Sequence, residues 1–291
     1  MSRRTATQIR RARAFHALHN GRMLRLPNAW DALSARIFAS VGFPAVATTS
    51  AGVAWSLGAG DGERLPRERM LAAVRAIAGA VDLPVSADIE SGYGATPEAV
   101  ADTVDAVVAA GAVGINIEDG DPRSDADLLD ATDQAERIAA AREAAERAAV
   151  PVFINARTDV FWRAIGDPSR RAEKAVTRGR LFADAGADGF FVPGATAADD
   201  IRALVAGVPL PLNLLAQPGL PGFSELARLR VARITLGSGP VRAAAGLTAA
   251  IGREFLDGEE MSLPGTWAMP YGDVQSLMTA DARPPFTRQD P

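Results

Sequence analysis

The sequence predicts an α/β protein, a single (β/α)8 TIM barrel with a helical arm at its C-terminus. Three observations support this. Eight short apolar runs rich in Val, Ile and Phe recur along the 291 residues, helix-like patterns separate them, and several of these patterns end in Ala-Gly. Apolar strands that alternate with helices indicate a parallel sheet, glycine commonly ends a helix, and eight such units in about 250 residues suit a closed barrel. A doubly wound dinucleotide-binding sheet has no support, because no G-x-G-x-x-G follows the first strand.

The predicted strands and helices alternate along the chain. In order, the strands are MLRLPNA, AVATTS, PVSADIE, GINIED, VFINARTD, GFFVPG, LPLNLL and ARITLG. The helical patterns between them cover residues 31–41, 66–81, 97–110, 132–149, 169–185, 197–207 and 223–229, and a short amphipathic helix precedes the first strand. We assign residues 1–257 to the barrel with its N-terminal helix, and residues 258–291 to a C-terminal arm and tail.

Composition narrows the chemistry. The chain has no cysteine, a single lysine, Lys174, inside a helical pattern, and two histidines, His16 and His19, expected on the surface before the first strand. Disulfides, thiolate nucleophiles and sulfur-bound zinc are therefore excluded. The net charge of −4, with Arg and Glu interspersed, argues against nucleic-acid binding, and no apolar run is long enough to span a membrane. We expect a cytoplasmic protein whose chemistry depends on carboxylates, hydroxyls, arginine or a metal ion.

Polar residues follow six of the predicted strands, at the end where (β/α)8 barrels carry their active sites. In chain order they are Asn28 and Asp31, Ser50, Asp88 and Glu90, Glu118 and Asp119, Arg157 and Asp159, and Asn213. Any one of them could be a helix cap or a loop hydrogen bond, as we expect for Asp31. Six such strand ends on one face predict a site.

Three acids in this group, Asp88, Glu90 and Glu118, would repel one another unless a cation lies among them. Oxygen ligands favour Mg²⁺ or Mn²⁺ over zinc, and Mg²⁺ usually keeps several waters. We therefore expect Asp88 to bind the metal directly, and Glu90, Glu118 and Asp61 to act mainly through water.

The remaining polar groups suit a small acid. Arg157 offers a planar fork for a carboxylate or phosphonate, and Ser50 with the backbone of TTSAG predicts a small turn for a second anionic group. A metal beside them would bind a 2-oxo acid and stabilise an enolate. Tyr93 in SGYG is a candidate proton donor, with simple packing as the alternative.

These residues resemble the isocitrate lyase/phosphoenolpyruvate mutase superfamily. The similarity runs from LPNAWDALSARIFASVGFPAVATTSAGVAWSLGAGDGE through ADIESGYG, GINIEDG, NARTD and PLNLL to the eighth strand. It implies a barrel with an enolate or oxyanion intermediate on Mg²⁺, commonly a homotetramer that exchanges terminal helices. It also implies the role of each matching residue: Asp88 as direct metal ligand, Asp61, Glu90 and Glu118 as its acidic shell, Ser50, Ala51 and Gly52 as the substrate-carboxylate turn, Arg157 as the substrate-binding arginine, and Asn213 as a polar residue facing the ligand. Ala51 stands where glycine is usual.

The loop after the fourth strand departs from the family pattern. Lyases of the family carry Lys-Lys/Arg-Cys-Gly-His there and phosphonate mutases a Lys-Asn-containing loop, whereas this chain has DGDPRSDADLLDATDQ. The loop offers only Arg123, Ser124 and Asp125, and its ordinary interpretation is a solvated acidic turn.

The leading hypothesis is a Mg²⁺-dependent lyase that cleaves or decarboxylates a small 2-oxo or 2-hydroxy carboxylic acid. Arg157, Tyr93 and Glu118 are its candidate catalytic residues. The alternatives are P–C chemistry, as in a mutase or phosphonopyruvate hydrolase, and a protein that binds 2-oxo acids without turnover. The helix VRAAAGLTAAIGREFLDG and the arm that contains Trp267 exceed what one barrel needs, which suggests a homotetramer.

Overall fold

The computed structural model describes residues 3–124, 126–257 and 262–279, and it confirms the predicted barrel. Within these residues nine strands pair in parallel around one nearly closed sheet. The strands are β1 Leu24–Leu26, β2 Asn28–Ala29, β3 Val46–Thr48, β4 Val85–Asp88, β5 Gly114–Glu118, β6 Phe153–Arg157, β7 Gly189–Phe191, β8 Leu212–Leu215 and β9 Arg233–Thr235. Asp125, and residues 258–261 and 280–291 of the predicted C-terminal arm and tail, lie outside the described residues.

The first predicted strand is divided in two at Pro27, which has no N–H to give to a sheet. Its first half, β1, pairs with β9, and its second half, β2, pairs with β3, so together they close the ring. The Asn28 side chain spans this seam. Its Nδ2 donates to the Thr48 carbonyl at 2.9 Å, and its Oδ1 accepts the N–H groups of Leu236 and Gly237 at 2.9 and 2.8 Å.

Helices surround the sheet, and all seven predicted between strands are present within two residues of their expected ends. The helices are α1 Arg3–Ala17, α2 Ala32–Val41, α3 Ser50–Ser56, α4 Arg67–Ala80, α5 Pro97–Ala110, α6 Ala131–Arg147, α7 Arg171–Asp184, α8 Ala198–Gly207, α9 Phe223–Arg228, α10 Gly239–Asp257, α11 Leu263–Trp267 and α12 Tyr271–Thr279. Asp31 caps α2 as predicted, with Ser34 completing a capping box. No helix among the described residues is long and apolar enough to cross a membrane.

The N-terminal helix packs at the amino ends of β5 and β6. Phe15 of α1 is fully buried, and its ring meets that of Phe153 edge-on at 5.5 Å. His19 stacks on the same Phe153 ring with 3.9 Å between centroids, so the expectation of a surface histidine is wrong at this position. The Phe15 ring fills the space beside Gly114, where a Cβ would lie 2.8 Å from Cε1 of the ring.

Candidate active site

A cavity of about 100 Å³ opens at the carboxyl ends of the strands, where the sequence predicts the site. Six of the predicted residues line it: Asn28, Ser50, Ala51, Asp61, Asp88 and Arg157. The other predicted residues, Gly52, Glu90, Tyr93, Glu118 and Asn213, lie around the cavity without forming its wall.

Asp88 is fixed in the cavity wall from two sides. Its Oδ2 accepts the N–H of Ser50 at 3.1 Å, and its Oδ1 accepts Nδ2 of Asn116 at 3.1 Å. Asn116 in turn accepts a hydrogen bond from Asn155 at 3.0 Å, so an amide ladder across β6 and β5 ends on this carboxylate. The carboxylate is therefore oriented before any ligand binds.

The segment from Ser50 to Gly52 is the first turn of helix α3 rather than the small turn that the sequence suggested. Thr49 caps the helix, and its hydroxyl accepts the N–H of Gly52 at 3.4 Å. The turn is tight, since a Cβ on Gly52 would lie 2.6 Å from the Thr49 methyl group. The N–H of Ser50 is the one that faces the site, where it already binds Asp88.

Three of the predicted metal-shell acids, Asp61, Glu90 and Glu118, have a raised pKa. Burial and then the charge of Asp88 raise the pKa of Asp61, and the same causes in the same order raise the pKa of Glu90 to about 7. Burial raises the pKa of Glu118 well above its usual range, against the pull of Arg157. A cation among these carboxylates would relieve this repulsion.

Arg157 is held by two of the protein's own carboxylates. Its Nε and Nη2 donate to Asp159 at 2.6 and 3.1 Å, and its Nη1 lies 2.8 Å from Oε2 of Glu118. Burial lowers the pKa of Arg157, but the two carboxylates outweigh burial and raise it above its usual range. The positive charge of Arg157 at the cavity wall is thus already balanced by Glu118 and Asp159.

Glu90 and Tyr93 belong to a hydrogen-bonded network beside the cavity. The Tyr93 hydroxyl donates to Glu90 Oε1 at 2.8 Å, and Glu90 Oε2 accepts the N–H of Glu63 at 2.5 Å. The Glu63 carboxylate accepts the N–H of Tyr93 at 2.8 Å, which ties the 58–66 loop to the SGYG turn. All three residues have left-handed φ values of 52–57°. Burial and the charge of Glu90 raise the pKa of Tyr93, so its hydroxyl is a donor at neutral pH.

Arg123, the cation of the loop after β5, forms its ion pair within the same loop. Arg123 is 83% exposed and donates to Asp121 of the same loop at 2.8 Å, and Ser124 donates to Asp127 at 2.7 Å. Neither Arg123 nor Ser124 lines the cavity.

The sequence analysis missed several wall residues, among them Thr48, Asn116, Trp162 and Arg233. Asn116 lies in the middle of β5 and Arg233 begins β9, so neither stands at the carboxyl end of its strand. A signal existed, because ARITLG and GINIED place a polar residue at an inward position between two apolar ones. Trp162 sits on the loop after β6, where no pattern distinguishes it.

The donor set fits a hydrated hard cation. Among the described residues, no group of three or more His, Cys, Asp or Glu is arranged to enclose a metal ion. Asp61 and Asp88 nevertheless line one cavity, and Mg²⁺ is commonly held by one or two carboxylates, with water and ligand oxygens completing its shell. Oxygen donors without nitrogen or sulfur match Mg²⁺ or Mn²⁺ rather than zinc.

Comparison with known proteins agrees with this geometry. The family model for phosphoenolpyruvate phosphomutase matches residues 15–256. The chain belongs to the isocitrate lyase/phosphoenolpyruvate mutase superfamily. An uncharacterized superfamily protein of Mycobacterium tuberculosis is 38% identical over 267 residues, which are 91% of this chain and 96% of that protein. A solved protein of Burkholderia cenocepacia J2315, assigned broadly as a lyase or mutase, is 37% identical with a TM-score of 0.88, over 95% of this chain and 99% of its own.

Superfamily relatives with named activities also match most of the chain. An oxaloacetate decarboxylase of Bradyrhizobium sp. ORS 278 is 29% identical over 81% of this chain and 82% of its own length. A phosphonopyruvate hydrolase of Variovorax sp. Pal2 is 30% identical over 79% of this chain and 81% of its own. A solved phosphonopyruvate hydrolase in complex with oxalate and Mg²⁺ is 27% identical with a TM-score of 0.79, over 92% of this chain and 94% of its own. The relatives of this chain thus include an oxaloacetate decarboxylase and a phosphonopyruvate hydrolase.

Proposed function

We propose that the chain is a Mg²⁺- or Mn²⁺-dependent lyase that acts on a small 2-oxo or 2-hydroxy carboxylic acid by C–C cleavage or decarboxylation. The observation that carries this proposal is that Asp61, Asp88 and Arg157 line one small cavity at the carboxyl ends of the strands. Two acids in one wall suit a cation, and the neighbouring donors suit an anion that the cation and Arg157 hold together.

In this proposal, the residues of the cavity wall would bind the metal ion and the substrate. Asp88, fixed by Ser50 and Asn116, would bind the metal directly, and Asp61 would act through water. When bound, the divalent cation would polarise the keto or hydroxyl oxygen and stabilise the negative charge that develops as the bond breaks. Arg157 would donate to the substrate carboxylate while Glu118 holds its guanidinium in place.

Proton transfer has few candidates. No His, Lys or Cys among the described residues lines the cavity, which leaves hydroxyl groups, carboxyl groups and water. Tyr93 and Glu90 form a hydrogen-bonded hydroxyl–carboxyl pair at 2.8 Å, and we propose this pair as the proton reservoir. Because neither residue forms the wall, the proton would reach the substrate through water.

P–C chemistry is the second candidate, supported by the phosphomutase family model and the Variovorax hydrolase. A phosphonate needs more positive charge than a carboxylate. Arg123, the extra cation that the sequence offered, is paired with Asp121 outside the cavity. The loop after β5 therefore adds no support for P–C chemistry, which stays the second candidate.

The test is a metal-dependent ligand screen by thermal shift, followed by solvent deuterium exchange at C3 of each 2-oxo acid that binds. We expect Mg²⁺-dependent stabilisation by one class among 2-oxo dicarboxylates, methylisocitrate-type acids and phosphonopyruvate. Asp88→Asn should abolish stabilisation and exchange, whereas Asp102→Asn, the same change at an exposed position of α5, should leave both intact. Binding without exchange would support the non-catalytic alternative, and no binding by any class would contradict the proposal.

We also propose a homotetramer that exchanges its C-terminal helices. Helix α10 has no buried residue within the described chain, and Phe255 and Leu256 near its end are 77% and 80% exposed. Trp267 and Tyr271 that follow are 70% and 80% exposed. Large apolar side chains exposed together along one terminal segment are typical of an interface between chains.

A further inference from the structure

Arg233 is a buried cation of the cavity for which the proposed chemistry has no use. It begins β9, is 3% exposed, and forms part of the wall that also contains Asp88. Its Nε and Nη1 donate to no atom of the described residues. A buried guanidinium without a partner is strongly unfavourable unless a ligand supplies the missing acceptors.

Its neighbours are unsatisfied donors as well. The Ser86 hydroxyl is buried in the same wall without a hydrogen-bond partner in the described chain. Asn213, which faces Arg233 across the β8–β9 pair, has an unpartnered Nδ2, while its Oδ1 accepts from Thr235 at 3.4 Å. Three donor groups without acceptors call for an anion.

The charge balance of the cavity points the same way. A divalent cation would offset Asp61 and Asp88, and Arg157 is already offset by Asp159 and Glu118. Arg233 also lines the cavity, and no carboxylate of the described residues forms an ion pair with it. Burial lowers the pKa of Arg233 to about 9, which leaves it charged at neutral pH.

We propose that Arg233 and Ser86 form a second anion subsite that binds the distal carboxylate of a dicarboxylic acid, whose 2-oxo or 2-hydroxy end lies at Asp61 and Asp88. This inference rests on the proposed function and names its substrate class. The small cavity, about 100 Å³, limits the acid to a few carbons.

Stability separates this role from a structural one. If Arg233 exists to bind a ligand, Arg233→Met removes an unpaired buried charge, and the apo protein should melt at the same or a higher temperature. If Arg233 supports the barrel, the same change should lower the melting temperature. Ser86→Ala removes a hydroxyl without a partner and provides a second variant that should fold in either case.

The deciding experiment is calorimetric titration of the full chain in saturating Mg²⁺ with malate and with 2-hydroxybutyrate. The two acids share the 2-hydroxy end and differ by a carboxylate in place of a methyl group. We expect wild type to bind malate at least tenfold more tightly, about 1.4 kcal/mol. Arg233→Met should bring the two affinities within about twofold without weakening 2-hydroxybutyrate, Arg233→Lys should restore part of the ratio, and Ser86→Ala should reduce it severalfold. Arg25→Met, at an exposed arginine over the Phe223 ring, is the matched control and should not change it.

Each other outcome has a definite meaning. Metal-dependent binding of both acids with equal affinity, or a ratio that survives in Arg233→Met, would overturn the subsite and leave the proposed function standing. Failure of wild type to bind either acid would overturn the subsite, and it would overturn the proposed function as well only if no acid in the thermal-shift screen bound. Phosphonopyruvate that binds more tightly than malate and depends on Arg233 would overturn the carboxylate assignment in favour of a phosphonate.

Discussion

Asp119→Asn tests how strongly the polar cluster behind the site stabilises the barrel. Asp119 is fully buried after β5, where its Oδ2 accepts Nε of Arg178 at 2.6 Å and its Oδ1 accepts the N–H of Asp159 at 2.8 Å. Arg178 reaches in from α7 and also donates to the Leu129 carbonyl at 2.6 Å. The asparagine keeps the shape and one acceptor, but it leaves the Arg178 guanidinium buried without its counter-ion.

The expected loss follows from burial. The two side chains are 0% and 8% exposed, so water screens their attraction little. Removal of one partner from a buried pair typically costs about 3–5 kcal/mol, because the other charge remains desolvated. Since Arg178 retains the Leu129 carbonyl, we expect the lower end, about 3 kcal/mol of unfolding free energy.

Urea unfolding followed by circular dichroism at fixed pH and Mg²⁺ measures this loss. Arg178→Met should destabilise comparably, and the double variant should be at least about 2 kcal/mol more stable than the sum of the single effects, because it removes both charges. An Asp119→Asn protein within 1 kcal/mol of wild type, or strictly additive variants, would show that the contact contributes little.

Two further predictions concern acid stability and assembly. Burial, and then the charge of Arg233, lower the pKa of His19 from 6.5 to about 3. Between pH 6.5 and about pH 3, His19 is therefore protonated in the unfolded chain and neutral in the folded chain. Wild type should therefore lose stability as the pH falls below 6.5, by up to about 1.4 kcal/mol per pH unit, and His19→Phe should remove this contribution; identical pH profiles of unfolding would exclude it. For assembly, native mass spectrometry should find a tetramer that Phe255→Asp with Leu256→Asp dissociates, and a wild-type monomer would contradict the proposal.

Most of the fold could be predicted because its signals are local. Apolar runs, Ala-Gly helix ends and the Asp31 cap each depend on a few neighbouring residues. The sequence analysis predicted MLRLPNA as one strand, and the pairing of its two halves with β9 and β3 depends on closure of the whole ring. Helix α3 was missed because seven residues that follow a strand directly are too few to show a helical period.

The site could be predicted less completely. The rule that barrel chemistry lies at strand ends located Asp88 and Arg157, and both line the cavity. The same rule overlooked Arg233, which points inward from the first residue of its strand. That Arg157 is shared between Glu118 and Asp159 could not be foreseen, because such pairing depends on rotamers and distances that strand order leaves open.

The hydrogen bonds of Asn28 that close the barrel at its seam lie in the wall of the cavity. One amide side chain joins the two ends of the sheet there, and Asn28, Thr48 and Gly237 also line the cavity. The N–H groups of Leu236 and Gly237 donate to Asn28 at this seam. A ligand that contacts this wall would slow hydrogen exchange at these two amides. Hydrogen exchange at these two backbone amides would thus report whether a ligand occupies the cavity, even when the product of the reaction is unknown.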